Sequence, residues 1–172
     1  GQDQAATTGN LMAFDSRPDG GMIRASADSA YRNVKMSRSL KLSGAKLTDL
    51  FVCQSPEEHR YDYVLLFNAR PELSAKAGEP VTFSEAPYNC IRNVSRYAFD
   101  SDFRIIVDGA EVRMRVSVPV KVFVGEASGI PPTNPGVRTV SGSEKRPVLT
   151  SYPVIIRAKE KSVTFEAQWK IR

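Results

Sequence analysis

The chain has 172 residues, 41% of them hydrophobic and 25% charged, and a formal net charge of +5 at pH 7. This length fits one domain with a real core, and the composition excludes a disordered chain. Apolar runs such as Tyr63–Phe67 and Ile105–Val107 are far too short to cross a bilayer, and a pI near 9.3 permits acidic partners without demanding them.

Residues 1–13 form a polar start without an initiator Met or an apolar h-region, which is the expectation for the flexible beginning of a processed, exported chain. Residues 14–172 are then expected to form a single β-rich domain. Arg17-Pro18-Asp19-Gly20-Gly21 is a strong turn signal. Over Ala27–Leu40 the spacing of Ala27, Tyr31 and Val34 predicts a short helix with Ser26 or Asp28 as cap. The basic residues Arg32, Lys35, Arg38, Lys41 and Lys46 lack interleaved aromatics, so they are expected to form a solvated face with no nucleic-acid partner.

Leu47–Cys53 and Tyr61–Asn68 are predicted strands, separated by a polar bend, Gln54–Arg60, that carries the sole histidine, His59. Pro80–Phe83 is a further short strand. Over Pro87–Ala98, Ile91, Val94 and Ala98 fall at helical spacing behind Ser84 as N-cap, predicting a second short helix.

The clearest pattern runs from Phe103 to Val124. Apolar residues occupy every second position from Val112 through Met114, Val116, Val118, Val120 and Val122 to Val124. A two-residue type I′ turn at Asp108-Gly109 sets Val107 opposite Ala110, Ile105 opposite Val112 and Phe103 opposite Met114. Proline cannot donate to a ladder, so Pro119 is expected to mark an edge or a point where the N–H side faces open space. The segment Pro119, Val120, Lys121, Val122, Phe123 and Val124 is therefore expected either to receive the chain's own last strand or to serve as a docking edge for a partner.

Residues 125–147 are rich in Gly, Pro and polar residues and are expected to form a long loop. The chain ends in an alternating strand through Val163, Phe165, Ala167, Trp169 and Ile171, with Val154–Arg157 as its expected hairpin partner across Lys159-Glu160-Lys161. The fold class that follows is mainly β, an antiparallel sheet or sandwich with one or two short helices.

Catalytic signatures are missing. One histidine rules out any site needing two imidazoles, the cysteines lack CxxC spacing, pairs such as Asp100 and Asp102 have no second element, and no glycine-rich phosphate loop is present. No metal, cofactor or catalytic residue is assigned. The two cysteines, Cys53 and Cys90, are expected to form a disulfide, which would contribute about 4 kcal/mol, the alternative being two separate buried thiols.

The segment Cys90-Ile91-Arg92-Asn93-Val94-Ser95-Arg96-Tyr97-Ala98-Phe99, followed by Asp108-Gly109-Ala110-Glu111-Val112 and Val116-Ser117-Val118-Pro119-Val120-Lys121, resembles the C-terminal domain of TonB-type energy transducers. The resemblance implies an amphipathic helix over the first segment, a periplasmic location and recognition of a partner by β-augmentation, and it assigns no partner-binding residues. The resulting expectation is a non-enzymatic, exported cell-envelope domain, periplasmic or at the cell surface, that binds a protein partner by strand pairing. The alternative is a subunit or assembly factor of a surface fibre.

Overall fold

A computed structural model describes residues 5–75, 77–128 and 150–170. In chain order its strands are β1 (Asn10–Arg17), β2 (Gly20–Tyr31), β3 (Val34–Ser43), β4 (Lys46–Phe67), β5 (Glu72–Leu73) and β6 (Glu79–Val81). They are followed by β7 (Arg92–Phe99), β8 (Asp102–Val107), β9 (Ala110–Val116), β10 (Val120–Ser128) and β11 (Thr150–Lys170). All pairings are antiparallel, and the fold is mainly β, as the alternating patterns predict.

Two long strands organise everything else. β4 and β11 pair along almost their whole length, from Tyr152 opposite Phe67 to Lys170 opposite Lys46. The ladder slips once, where Ser55–Glu58 of β4 stand against Lys161 of β11. A bulge of this kind bends a strand, and here it folds the pair back on itself. Tyr63 is the ladder partner of Ile156 and Phe51 the partner of Phe165. A straight strand would hold Ile156 and Phe165 about 30 Å apart. Yet the Tyr63 and Phe165 rings stack with centroids 5.4 Å apart, and Phe67 lies 6.0 Å from Trp169.

One continuous sheet therefore becomes a sandwich-like pair of layers joined at this crease. The first layer holds β1, β2, β3, the first half of β4, the second half of β11, β9, β8 and β5; the second holds the other halves of β4 and β11 with β10, β7 and β6. The core lies between them, with Ile105, Val112, Met114, Val116, Val122, Val154, Ile156, Val163, Phe165 and Ala167 at most 2% exposed. A smaller apolar cluster of Ile91, Val94, Phe123 and Ile155 covers the outer side of the second layer.

The Asp108-Gly109 hairpin has the predicted register at all three pairs, and both turn residues have positive φ (48° and 74°), as a type I′ turn requires. The apolar alternation that follows is continuous, but the strand is not. It breaks at Ser117–Pro119, where the chain crosses from β9 in one layer to β10 in the other. Both layers face the same core, so the parity survives the break.

The two predicted helices are strands. Ala27–Leu40 contains a hairpin in which Tyr31 pairs with Val34 and Asn33 takes φ 59°. Val34, Met36, Leu40 and Leu42 on β3 keep a period of two that outweighs the helical spacing of Ala27, Tyr31 and Val34. Pro87–Ala98 is a 3-10 turn (Tyr88–Cys90) followed by β7. Tyr97 and Phe99 pair with Val122 and Val120 while Val94 packs into the outer cluster. A strand covered on both faces is apolar at both parities, which imitates helical spacing, and the helix implied by the TonB-type resemblance is not formed.

Lys159–Lys161 is the crease rather than a hairpin turn, so β11 runs through it unbroken. β1 begins at Asn10, inside the stretch expected to be a flexible start, and the Ala5 N–H donates to the Ala30 carbonyl at 2.9 Å. β10 extends to Ser128, and the rest of the loop expected over 125–147 lies outside the described residues.

Candidate functional site

The bulge that folds β4 opens a groove of about 560 Å³ at the crease, closed on one side by residues 85–88. Its walls include Tyr31, Met36, Cys53, His59, Arg60, Tyr61 and Tyr88. His59 is half-buried opposite Glu160, with its ring 6.1 Å from that of Tyr61. Its Nε2 is buried without a hydrogen-bond partner, the one such side-chain nitrogen or oxygen among the described residues. Buried polar atoms are almost always paired, so this nitrogen is an exception at the crease.

An ionic network fixes the wall. Arg157 donates two hydrogen bonds to Asp62, at 2.7 and 2.9 Å, and Tyr88 donates to the same carboxylate at 2.8 Å. Arg60 bonds Glu85 at 2.6 Å. The Arg157 guanidinium also lies 5.2–5.7 Å from the ring centroids of Phe83, Tyr88 and Phe123, within cation–π range. Segment 83–88 is thereby tied to the second layer. Burial, reinforced by the bond to Asp62, pushes the Tyr88 phenol up to about 12, and the Asp62 bond raises the Arg157 guanidinium.

A second polar cluster crosses the core. Asp49, 3% exposed, accepts from Arg38 at 2.9 and 2.5 Å and from the Tyr63 hydroxyl at 2.6 Å. Asp49 and Tyr63 belong to opposite halves of β4, so this contact holds the crease closed. Burial, with the Asp49 bond, raises the Tyr63 phenol.

The residues singled out from sequence fall elsewhere. Cys53 is buried on the core face and Cys90 is exposed on the 3-10 turn, its Sγ donating to the Pro87 carbonyl at 3.2 Å; both are free thiols and the expected disulfide is not formed. With residues 92–99 in a strand, no helix carries Cys90 toward the face on which Cys53 sits. Burial pushes the Cys53 thiol up to about 12, so it is no thiolate nucleophile at neutral pH.

The docking edge expected at Pro119–Val124 is also absent. Val120, Lys121, Val122, Phe123 and Val124 pair with β7 on one side, and all but Val120 pair with Ile155–Arg157 and Val154 of β11 on the other. The segment receives the chain's own last strand, which was one of its two expected outcomes. Pro119 sits in the break between β9 and β10, where it displaces no ladder bond. Pro119, Val120 and Lys121 line a second groove of about 870 Å³ with Asp100, Arg157 and Lys159, and Arg60 lies on both grooves.

His59 was expected in a polar bend; the bulge is what turns it inward. The Glu57-Glu58-His59-Arg60 run hid that, because charged residues mark a crease as readily as a loop. Among the described residues no cluster of three His, Cys, Asp or Glu side chains could hold a metal ion, and no helix is long and apolar enough to cross a membrane.

The architecture is a mainly β, all-antiparallel fold. No family model and no curated protein matches the sequence. Among solved structures the chain is similar to heparinase III, the BT4657 gene product, with 12% identity and TM-score 0.53 over 98% of this chain and 22% of that one. The same protein with methylated lysines gives 11% and 0.54 over 96% and 22%. A mutant of the heparan sulfate lyase HepC from Pedobacter heparinus gives 10% and 0.54 over 98% and 23%. The likeness is one of fold, and this chain spans about a fifth of the length of those proteins.

Proposed function

We propose that this chain is a binding module of a larger protein that handles an acidic polysaccharide, seating a sugar unit in the crease groove and performing no chemistry of its own. The observation that carries the reading is the crease groove itself, lined by Tyr31, Tyr61, Tyr88, His59 and Arg60, with Asp62 and Glu85 held in ion pairs to Arg157 and Arg60. Tyrosine rings suit the C–H faces of a sugar, imidazole suits a hydroxyl, and guanidinium suits a carboxylate or sulfate. The fold likeness to part of heparinase III and of a heparan sulfate lyase supports the polysaccharide class. Against chemistry stand the protonated Cys53 and a histidine with no carboxylate or nucleophile bonded to it.

Calorimetric titration with a heparan sulfate disaccharide tests this. Binding should weaken about tenfold, or ~1.4 kcal/mol, in His59→Ala at unchanged melting temperature. No binding by the wild type, or equal affinity of the variant, would overturn the reading.

A second reading, an exported cell-envelope or fibre protein that adds a strand to its partner, is favoured by β1. Among the described residues that strand pairs only with β2, and Leu11, Met12 and Phe14 on it are 65%, 60% and 69% exposed. Self-association abolished by Phe14→Lys would support it; a monomer at high concentration would not.

A further inference from the structure

The outer face of the first layer carries basic residues in register. One row crosses five strands as Lys41, Thr48, Gln168, Arg113 and Arg104, each the ladder partner of the next. The neighbouring row runs Arg24, Ser39, Leu50, Glu166, Arg115 and Asp102. Arg113 and Arg115 alternate with buried Val112, Met114 and Val116, so their side chains leave the core side. Arg24, Lys41, Arg104, Arg113 and Arg115 are exposed. Carboxylates neutralise this face only in part. The half-buried Glu111 pairs with Arg113 at 2.6 Å and with Arg104 at 3.6 Å, Glu166 stands opposite Arg115, and Asp102 pairs with Arg115 at 3.3 Å at exposed positions where such a pair exchanges readily for another anion.

Arg104 and Arg113 stand directly opposite each other with one carboxylate, Glu111, shared between them, which leaves a net positive pair. Lys41 and Arg104 are four strand spacings apart, about 19 Å. A ligand that engages both ends must be a linear polyanion laid across the strands. Nucleic acid fits less well, because neither row holds an aromatic side chain on which a base could stack. The serine and threonine between the cations, Ser39 and Thr48, instead offer hydrogen bonds to hydroxyl-rich units.

We infer that this face is a second binding surface, taking a sulfated or uronic polysaccharide chain across β3, β4, β11, β9 and β8. The inference rests on the acidic-polysaccharide reading above and adds where the extended chain lies. It is tested on the full chain with two size-defined probes, a heparan sulfate disaccharide and an oligosaccharide long enough to cover four strand spacings.

The variant Arg104→Glu/Arg113→Glu should lose more than tenfold in affinity for the long probe and keep wild-type affinity for the disaccharide, with the wild-type salt dependence flattened. His59→Ala should weaken the disaccharide. Arg32→Glu/Arg92→Glu, two exposed charge reversals away from the two rows, matches the change in net charge and should change the long-probe affinity little. Equal long-probe affinity of the double variant and wild type would overturn the second surface while leaving the crease reading intact. A loss with Arg32→Glu/Arg92→Glu as large as with Arg104→Glu/Arg113→Glu would reduce it to bulk charge. Single-stranded DNA competing as well as the long probe would overturn the saccharide assignment. A wild type that binds neither probe ends both readings.

Discussion

Asp49 is the residue whose removal should be felt most for its size. It is the acceptor for Tyr63 and Arg38 across the folded β4, and its loss leaves a buried hydroxyl and a half-buried guanidinium without a partner. Asp49→Ala should cost about 3 kcal/mol and Tyr63→Phe about 1 kcal/mol, read from urea midpoints. The thiols make a second test. Cys90 should react with a thiol reagent in the native protein at pH 8 while Cys53 reacts only in urea. Two unreactive cysteines would restore the disulfide. Burial holds the Cys53 thiol and the Tyr88 phenol protonated, raising them from 9.0 and 10.0 to about 12. Their contribution is complete below about pH 9 and is lost as pH rises toward 12, so the urea midpoint should fall between pH 9 and 12. Tyr88→Phe should fall less steeply. Asp49 was legible in principle, as a carboxylate on the apolar parity of Leu47, Phe51 and Cys53. His59 was not, because its burial depends on a bulge created by the partner strand.

At the scale of elements, what pairs locally was legible and what pairs at a distance was not. The Asp108-Gly109 hairpin follows from turn chemistry and alternation alone, and it formed in the expected register. β7 and the β2–β3 hairpin were misread because helical and strand spacings overlap when both faces are covered or when only three apolar positions are counted. The unbroken β4 and β11 were misread because charge at a crease resembles charge at a turn. β10 offers the sharpest test, since it is central rather than an edge. Val122→Asp, at a fully buried position, should cost more than about 4 kcal/mol or prevent folding, while Lys121→Asp, at an exposed position of the same strand, should cost under about 1 kcal/mol. Gly125 lies where β10 slips register against β7. A methyl group there would meet Ile91 Cγ2 at 2.4 Å and the Arg92 carbonyl at 3.1 Å, so Gly125→Ala should cost about 1–3 kcal/mol by thermal melting.

For the whole molecule, the decisive fact is that no layer is built without β4 and β11. Both strands run through the crease, so the layers share covalent and hydrogen-bonded structure and should unfold together. Trp169 fluorescence, which reports the first layer beside Phe67, should therefore give the same urea midpoint as far-UV circular dichroism; separate midpoints would mean that the layers are independent. The position of β11 in the chain has a further consequence, in the order of synthesis. β11 alone joins β4 to β10 and β9, and it follows all of them in sequence. As the polypeptide leaves the ribosome, β1–β4 emerge with their apolar inner face uncovered, and β7–β10 emerge with no strand to attach them to β4. The core becomes available only when residues 150–170 are released. Until then the nascent chain exposes the surfaces that make unfinished β proteins associate with one another, so its yield should depend on holding chaperones more than its final stability would suggest.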